Sequence, residues 1–502
     1  MSNDNPVHEP RRLSRAEFLK TAAMATAGFY IVPRHVLGGK GYVAPSDTLY
    51  IAAIGCGGEG ENDIHHFANA PKKNAVIAYL CDVDQRMAAP RRKEFPKAGF
   101  YEDWRELYEK EHAHFDAVTI AIPDHNHAIV ALRAMQMGKH VYLQKPLTHD
   151  IYEARILTEA AKKYKVVTQM GDQGASCDGM RTLREWLEAG LIGDVHTVYN
   201  WTNRPVWPQG IPWPKDHPPV PKELNWDLWL GTAEYVDYID NLVPFNWRGW
   251  WRFGTGALGD MGCHIIGPAF KLFDLGYPTE ITCSAVTLYS GIFQEAFYQE
   301  SIPPASILRY IFPLKNGRNL RLYWMDGGLI PDRPDELDPS VNENEALAAI
   351  PPGDDYEGGS LFIGTHGKIA CGWGGNNPRL LPLSLNEDIR IPEKYPRVPG
   401  GMDGHWWQWI DACLAGYGNA EVDSPFEGYA GPLTETVLMG NLLLRCFTLQ
   451  MQEKRGNQTV LTSPGRYITY QWDARQMRIT NFEPANQFLR RTYRKGWGDL
   501  EL

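Results

Sequence analysis

Eight cysteines are spread singly over 502 residues, and no two stand in a C-x-x-C pair. That spacing excludes a disulfide scaffold and a zinc module built on thiolate pairs. Long apolar runs are also missing. The best candidate, Thr21 to Val32, is 12 residues long, Ala-rich and stopped by Pro33, well short of the ~20 residues that cross a bilayer, so no stable membrane span is expected. Basic charge is in deficit: 50 Lys and Arg stand against 60 Asp and Glu, for a formal net charge of -10, with no local basic patch. Nucleic acid and anionic membrane surfaces are therefore not expected partners. At 43% hydrophobic and 22% charged residues, the chain lacks the bias of disordered, collagenous or coiled-coil sequences. Its length suggests three domains at roughly 150 residues each, or two large ones with insertions. What is plentiful is aromatic: 17 Trp, 24 Tyr and 18 Phe.

Residues 1–10 are polar, Arg11, Arg12 and Arg15 follow, and then the mild apolar run ends in a Pro/Gly-rich exit. That is the layout of an export signal. The stretch Ser14 to Lys20 resembles the twin-arginine export signal, with Ala16 where the second arginine is expected and the pair Arg11-Arg12 standing earlier. Residues 1–40 are thus read as an export signal and linker on a periplasmic or otherwise exported protein. The alternative is an amphipathic N-terminal helix on a cytoplasmic one.

Leu49 to Ile54 is a short apolar run ended by glycine, as a buried strand requires. It opens directly into Gly55-Cys56-Gly57-Gly58-Glu59-Gly60, a G-x-G-x-x-G spacing. In such a loop the first glycine permits a tight turn, the second admits a pyrophosphate, and the third lets the next helix pack on the strand. The next apolar run, Ala75 to Leu80, ends in Cys81-Asp82, which places Asp82 about 20 residues on, where an acid bonds the ribose hydroxyls and disfavours a 2'-phosphate. NAD is accordingly expected rather than NADP, with Arg86 near enough to soften the choice. Strands at 116–122, 140–143 and 166–169 alternate with helices at roughly 126–137 and 150–164, so residues 46–172 read as a Rossmann dinucleotide-binding domain with a parallel sheet. Ligands bind beyond the carboxyl ends of such strands. Pro123, His127, Gln144 and Lys145 are therefore expected to face the cofactor together with Gly55, Gly57, Gly58, Gly60 and Asp82.

The run Gly138 to Leu147, which contains Gln144-Lys145-Pro146, resembles the Gly-Lys-His-Val-x-x-Glu-Lys-Pro segment of the Gfo/Idh/MocA oxidoreductases, with Gln144 in place of Glu. A second match, Gly256 to His264, carries the family's Asp-x-x-x-His pair as Asp260 and His264. The resemblance spans the mature chain, and its tail, from Thr480 to Trp497, is similar to that of the exported, sugar-related branch. It implies that Lys145, Asp260 and His264 are catalytic and that the protein is a homo-oligomer. The residue chemistry agrees. Asp260 and His264, four apart on a helix, share one face; an imidazole, which titrates near neutrality, can take a proton from an alcohol as hydride leaves. Asp260 can orient that imidazole or hold a substrate hydroxyl, and Lys145 can donate to the reacting oxygen. Asp124-His125-Asn126-His127 and His65-His66 do not make a metal site, because residues two apart diverge on a helix and no thiolate joins them. His127 is expected to line the nicotinamide or substrate side of its loop, with His125 as its competitor.

Residues 173–502 read as an α+β substrate and oligomerisation domain with a large, mainly antiparallel open sheet. Strands are expected at 195–203, 280–289, 306–312 and 320–324, and helices at about 403–416 and 433–447. A Trp/Pro-rich insertion occupies 201–252, and 327–359 reads as a long surface loop, a lid or an assembly arm. Gln173 and Arg252, with Asp260 and His264, are the expected substrate contacts; Arg204 and Arg248 are further donors. The reading is a nicotinamide-dependent oxidoreductase acting on a secondary hydroxyl of a sugar, polyol or glycoside, with a tightly retained cofactor. The alternatives are a redox-neutral glycosidase or lyase acting through a transient keto-sugar, and a non-catalytic sugar-binding protein.

Overall fold

The computed structural model describes residues 47–348 and 358–502; the export segment read at 1–40 lies outside them. Six short strands, β1 (Leu49–Ile54), β2 (Ala75–Cys81), β3 (Gly99–Tyr101), β4 (Ala117–Ile120), β5 (His140–Leu143) and β6 (Thr168–Met170), form one parallel sheet in the order β3-β2-β1-β4-β5-β6. Apolar residues fill both faces of β1, β4 and β5 because helices cover both sides. Local signals start those helices: Asp84 and Asp103 accept backbone N–H groups at the starts of Gln85–Glu94 and Trp104–Glu111, and Asp150 with Glu153 forms a capping box for Ile151–Tyr164. The strand order reverses between β1 and β4, which opens a crevice at their carboxyl ends.

A second sheet has the order β15-β14-β13-β7-β12-β11-β8-β18-β19, built from β7 (Thr197–Trp201), β8 (Glu280–Ala285), β11 (Ser306–Pro313), β12 (Asn319–Met325), β13 (Gly359–Ile363), β14 (Lys368–Gly372), β15 (Arg379–Leu381), β18 (Tyr470–Asp473) and β19 (Arg478–Ile479). Its pairs are antiparallel except β7 with β12. Two small ribbons, β9 (Tyr289–Gly291) with β10 (Gln294–Glu295) and β16 (Met451–Arg455) with β17 (Gln458–Thr462), stand apart. Leu308, Tyr310 and Phe312 alternate inward along β11. They share a core with Leu258, Ile265, Leu438 and Leu442 of helices Gly256–Leu272 and Gly431–Thr448. The strand expected over 280–289 stops at Ala285, because its partner β11 is preceded by Pro303 and Pro304, which have no N–H to continue the ladder.

The Trp/Pro-rich insertion has its own core, in which Trp226, Trp229, Trp247 and Trp250 pack with Tyr238 and Phe253. It also reaches back to the first sheet: Gln85 N donates to Glu223 O and Asn225 N to Val83 O, both at 2.9 Å. Residues 327–342 are irregular, in keeping with the expected loop. Leu337 and the short helix Glu343–Ala348 bury Ala346, Leu347 and Ala348 against Trp201 and Leu361, so this part of the segment 327–359 is sheet packing rather than a lid or arm; residues 349–357 lie outside the described ones. Among the described residues no helix is long and apolar enough to cross a membrane.

Candidate active site

A cavity of about 780 Å³ occupies the crevice between β1 and β4 and continues under the insertion. The glycine loop forms one end. Gly55 has φ +93°, and a Cβ there would lie 2.1 Å from Ala121 O; a Cβ on Gly60 would lie 2.3 Å from Gly55 O. Both glycines therefore let strand, turn and helix Glu59–Ala68 close on one another, while the main chain at Gly57 and Gly58 lines the cavity. Asp82 accepts the Cys56 N–H at 2.7 Å and the Asp84 N–H at 2.9 Å, and burial pushes its carboxyl up to about 6 against those hydrogen bonds. Arg86, the expected modifier of cofactor choice, is instead committed to Asp84, with contacts of 2.6–3.2 Å. The loop, the helix start and Asp82 fit a dinucleotide.

At the other end, Lys145 Nζ donates to the backbone oxygen of Asp260 at 2.9 Å and to its Oδ1 at 3.2 Å, and Arg248 Nε reaches the same Oδ1 at 3.3 Å. Although burial raises the Asp260 carboxyl, Lys145, Arg248 and Arg204 hold it well below the usual carboxylate range. The three expected catalytic residues thus line one cavity, but the imidazole is oriented by a residue outside the motifs that carry them. His264 Nδ1 lies 2.9 Å from Oδ1 of Asp172, just after β6, and Asp172 Oδ2 accepts the Tyr429 hydroxyl at 2.9 Å. A carboxylate can only accept, so Nδ1 carries the proton and Nε2 offers its lone pair. Gly267 makes room for this chain: a Cβ there would lie 2.7 Å from the Tyr429 oxygen.

The other expected residues are placed as follows. Gln144 lines the cavity and donates through Nε2 to both oxygens of Asp63 at 3.0 Å; Asp63 also accepts Trp406 Nε1 at 2.8 Å. Glutamate at 144 would face that buried carboxyl, which accounts for the amide. Gln144 Oε1 is buried with no hydrogen-bond partner among the described residues, as an atom awaiting a ligand donor would be. Gln173 lines the cavity and donates to Glu59 at 3.2 Å. His127 touches the cavity, yet its ring nitrogens sit 2.9 Å from Pro146 O and 2.6 Å from Ile122 O, so it braces the Lys145 loop. His125 contacts Phe253 O and Trp229 O and anchors the insertion; burial pushes it down to about 3. Arg252, expected at the substrate, instead pairs with Glu234 and Glu300 and does not line the cavity, where Arg248 and Arg204 stand. Asp124, between the expected cofactor-facing residues Pro123 and His127, also lines the cavity. It accepts the Thr255 hydroxyl at 2.5 Å, and burial pushes its carboxyl up to about 7. His65 lies against Glu94, and His66 stacks on Trp406.

Residues 49–172 match the Gfo/Idh/MocA family segment described as an oxidoreductase family NAD-binding Rossmann fold, and residues 186–287 match that family's C-terminal alpha/beta domain. The chain belongs to the Gfo/Idh/MocA oxidoreductases. Among curated relatives, levoglucosan dehydrogenase of Pseudarthrobacter phenanthrenivorans is 25% identical over 199 residues, 39% of this chain and 42% of that protein. A glycosyl hydrolase family 109 protein of Shewanella pealeana is 26% identical over 206 residues, 37% and 44% of the two chains. The scyllo-inositol 2-dehydrogenase (NADP(+)) of Bacillus subtilis is 23% identical over 296 residues, 56% of this chain and 70% of that one. The matched region thus spans less than half the length of the first two. Among solved structures, levoglucosan dehydrogenase in complex with NADH and L-sorbose superposes with a TM-score of 0.52 at 17% identity, covering 79% of this chain and 96% of that one. That likeness is one of fold, and it agrees with the parallel first sheet and the mixed, mostly antiparallel second sheet of this Gfo/Idh/MocA member.

Proposed function

We infer that the protein is an oxidoreductase that moves hydride between NAD and a secondary hydroxyl of a sugar, polyol or glycoside. The observation that carries this reading is the Asp172–His264 hydrogen bond of 2.9 Å, which leaves Nε2 as the basic atom in a cavity shared with Lys145 and Asp260. NAD, when bound, supplies the hydride acceptor. His264 Nε2 takes the hydroxyl proton as the carbinol hydrogen departs as hydride, and Asp172 stabilises the imidazolium so formed. Lys145 spends two of its three N–H donors on Asp260 and keeps one for the substrate oxygen. Asp82, held beside the glycine loop, favours NAD over NADP.

The insertion supports retention of the cofactor. Its segment 223–232 is tied to the first sheet by the Val83 and Gln85 contacts and to the chain end by Arg494, which donates to Gly231 O at 2.9 Å and Asp227 Oδ1 at 2.6 Å. Leu228 and Trp229 of this strap line the cavity. Retention suits the exported setting expected from the sequence, where no NAD pool replenishes the site; the homo-oligomer belongs to the same reading. Two measurements test it: the mass of the small molecule released from denatured native protein, and nicotinamide absorbance on mixing with sugars and polyols. NAD in the protein and NADH formation are expected; an empty protein that neither binds NAD nor reduces it contradicts the reading.

The strap and the similarity to a family 109 glycosyl hydrolase favour one alternative, glycoside cleavage through a transient keto-sugar with the hydride returned. An aryl glycoside separates the two. Aglycone release without net NADH supports the alternative, and stoichiometric NADH excludes it.

A further inference from the structure

Trp373 lines the cavity beside the reaction centre and has no part in the chemistry assigned above. It stands on the turn Trp373–Gly375 after β14, far along the chain from the motifs that carry Lys145 and His264. Its ring centroid lies 5.3 Å from that of His264, with the two planes 66° apart. The turn is clamped. Gly374 has φ +65°, and a Cβ there would lie 2.6 Å from the Cα of Gly174; a Cβ on Gly174 would lie 2.4 Å from the Cα of Gly374. The Cys177 thiol donates to Gly374 O at 3.1 Å. Gly174 belongs to the turn Gln173–Ser176 that follows Asp172, so one backbone seam holds both the carboxylate that orients the imidazole and the indole next to it. Gly372 and Gly374 are buried, whereas the indole is only half-buried: part of it packs on the core and the rest faces the cavity. A flat, fixed apolar face in a polar cavity suits a ring-shaped ligand. A pyranose or cyclitol with mainly equatorial hydroxyls carries axial C–H bonds on its faces and hydroxyls around its rim, and the negative π face of an indole attracts such C–H groups. An extended acyclic polyol has hydroxyls along both sides and no such face. Rim hydroxyls, which donate and accept, find both kinds of partner here: His264 Nε2 and Gln144 Oε1 accept, and Lys145 donates.

We propose that Trp373 is a substrate-stacking residue and that the substrate is a cyclic sugar or cyclitol, which lays a C–H face on the indole while a ring hydroxyl meets His264 Nε2. This rests on the sugar oxidoreductase reading and deepens it. Calorimetric titration of the NADH-loaded protein, in which no alcohol can be oxidised, tests it independently of turnover. The cyclic ligands are D-glucose, D-mannose, methyl β-D-glucopyranoside and myo-inositol; the acyclic ones are D-glucitol and D-mannitol. At least one cyclic ligand is expected to bind about tenfold or more tighter than either acyclic polyol. Trp373→Leu, checked for a native thermal transition and unchanged NADH content, is expected to lose most of that preference, and Trp373→Phe, which keeps a flat ring, to retain much of it. Acyclic polyols binding as tightly as the cyclic ligands, binding of no cyclic ligand, or a Trp373→Leu protein with the wild-type preference would overturn the proposal. Cyclic ligands that bind through the indole but yield no NADH with the NAD-loaded protein would uphold it and contradict the oxidoreductase reading instead.

Discussion

Asp172 Oδ1 lies 2.9 Å from His264 Nδ1, and 92 residues separate the two in the chain. The carboxylate fixes both the tautomer and the direction of the imidazole. Replacing it with Asn removes the charge that stabilises imidazolium while keeping the size. Asp172→Asn is expected to lower kcat by roughly 10–100-fold or more with little change in NAD affinity. Tyr429→Phe, which deletes only the hydroxyl donated to Asp172 Oδ2, should cost less. Single-turnover absorbance measurements check both; an Asp172→Asn variant with wild-type kcat contradicts the assignment.

Gln144 and Asp63 form a second matched pair, joined by two 3.0 Å contacts. Burial and the nearby Glu59 charge push the Asp63 carboxyl well up. Gln144→Glu sets two carboxyls against each other and should destabilise the protein by about 1–3 kcal/mol. Adding Asp63→Asn should restore much of the loss. Denaturant unfolding of the two single variants and the double variant measures the coupling; a purely additive cycle contradicts the pairing.

The glycine loop gives a steric contrast. At Gly55, φ is +93° and a Cβ would lie 2.1 Å from a backbone oxygen, whereas a Cβ at Gly58, φ +52°, meets nothing within 4 Å. Gly55→Ala is expected to cost more than about 3 kcal/mol or to abolish soluble expression, and Gly58→Ala about 1 kcal/mol. Thermal unfolding of both variants ranks them.

Asp124 makes stability depend on pH. Its native carboxyl is pushed up to about 7 by burial, whereas in an unfolded chain it titrates near ~3.9. Between those values the native state binds more protons than the unfolded one, so the contribution is unfavourable and grows as pH rises. From about pH 5 to about pH 8, the unfolding free energy of the wild type should therefore fall more steeply than that of Asp124→Asn, by a margin on the order of 1 kcal/mol or more. Parallel curves contradict the shift.

The fold was legible where one element explains itself. The apolar runs 49–54 and 140–143 are β1 and β5 at the same boundaries, and the glycine spacing marks the turn between strand and helix. Lys145, Asp260 and His264 were legible through short motifs and meet in one cavity. Partnerships across long separations were not. Nothing near His264 announces Asp172 or Tyr429, and no local pattern distinguishes Arg252, turned to Glu234 and Glu300, from Arg248, four residues earlier and turned to Asp260. The polar, Pro-rich composition around 327–348 also hides Leu337 and Ala346 to Ala348, which complete the packing around Trp201.

The central claim is that His264 is the base for hydride transfer from a sugar hydroxyl. It is tested most directly by comparing wild type and His264→Ala, both loaded with NAD, for nicotinamide reduction in a single turnover with an oxidisable sugar. The account predicts unchanged NAD content and reduction slowed by at least about 100-fold in the variant. Equal rates in the two proteins would contradict it.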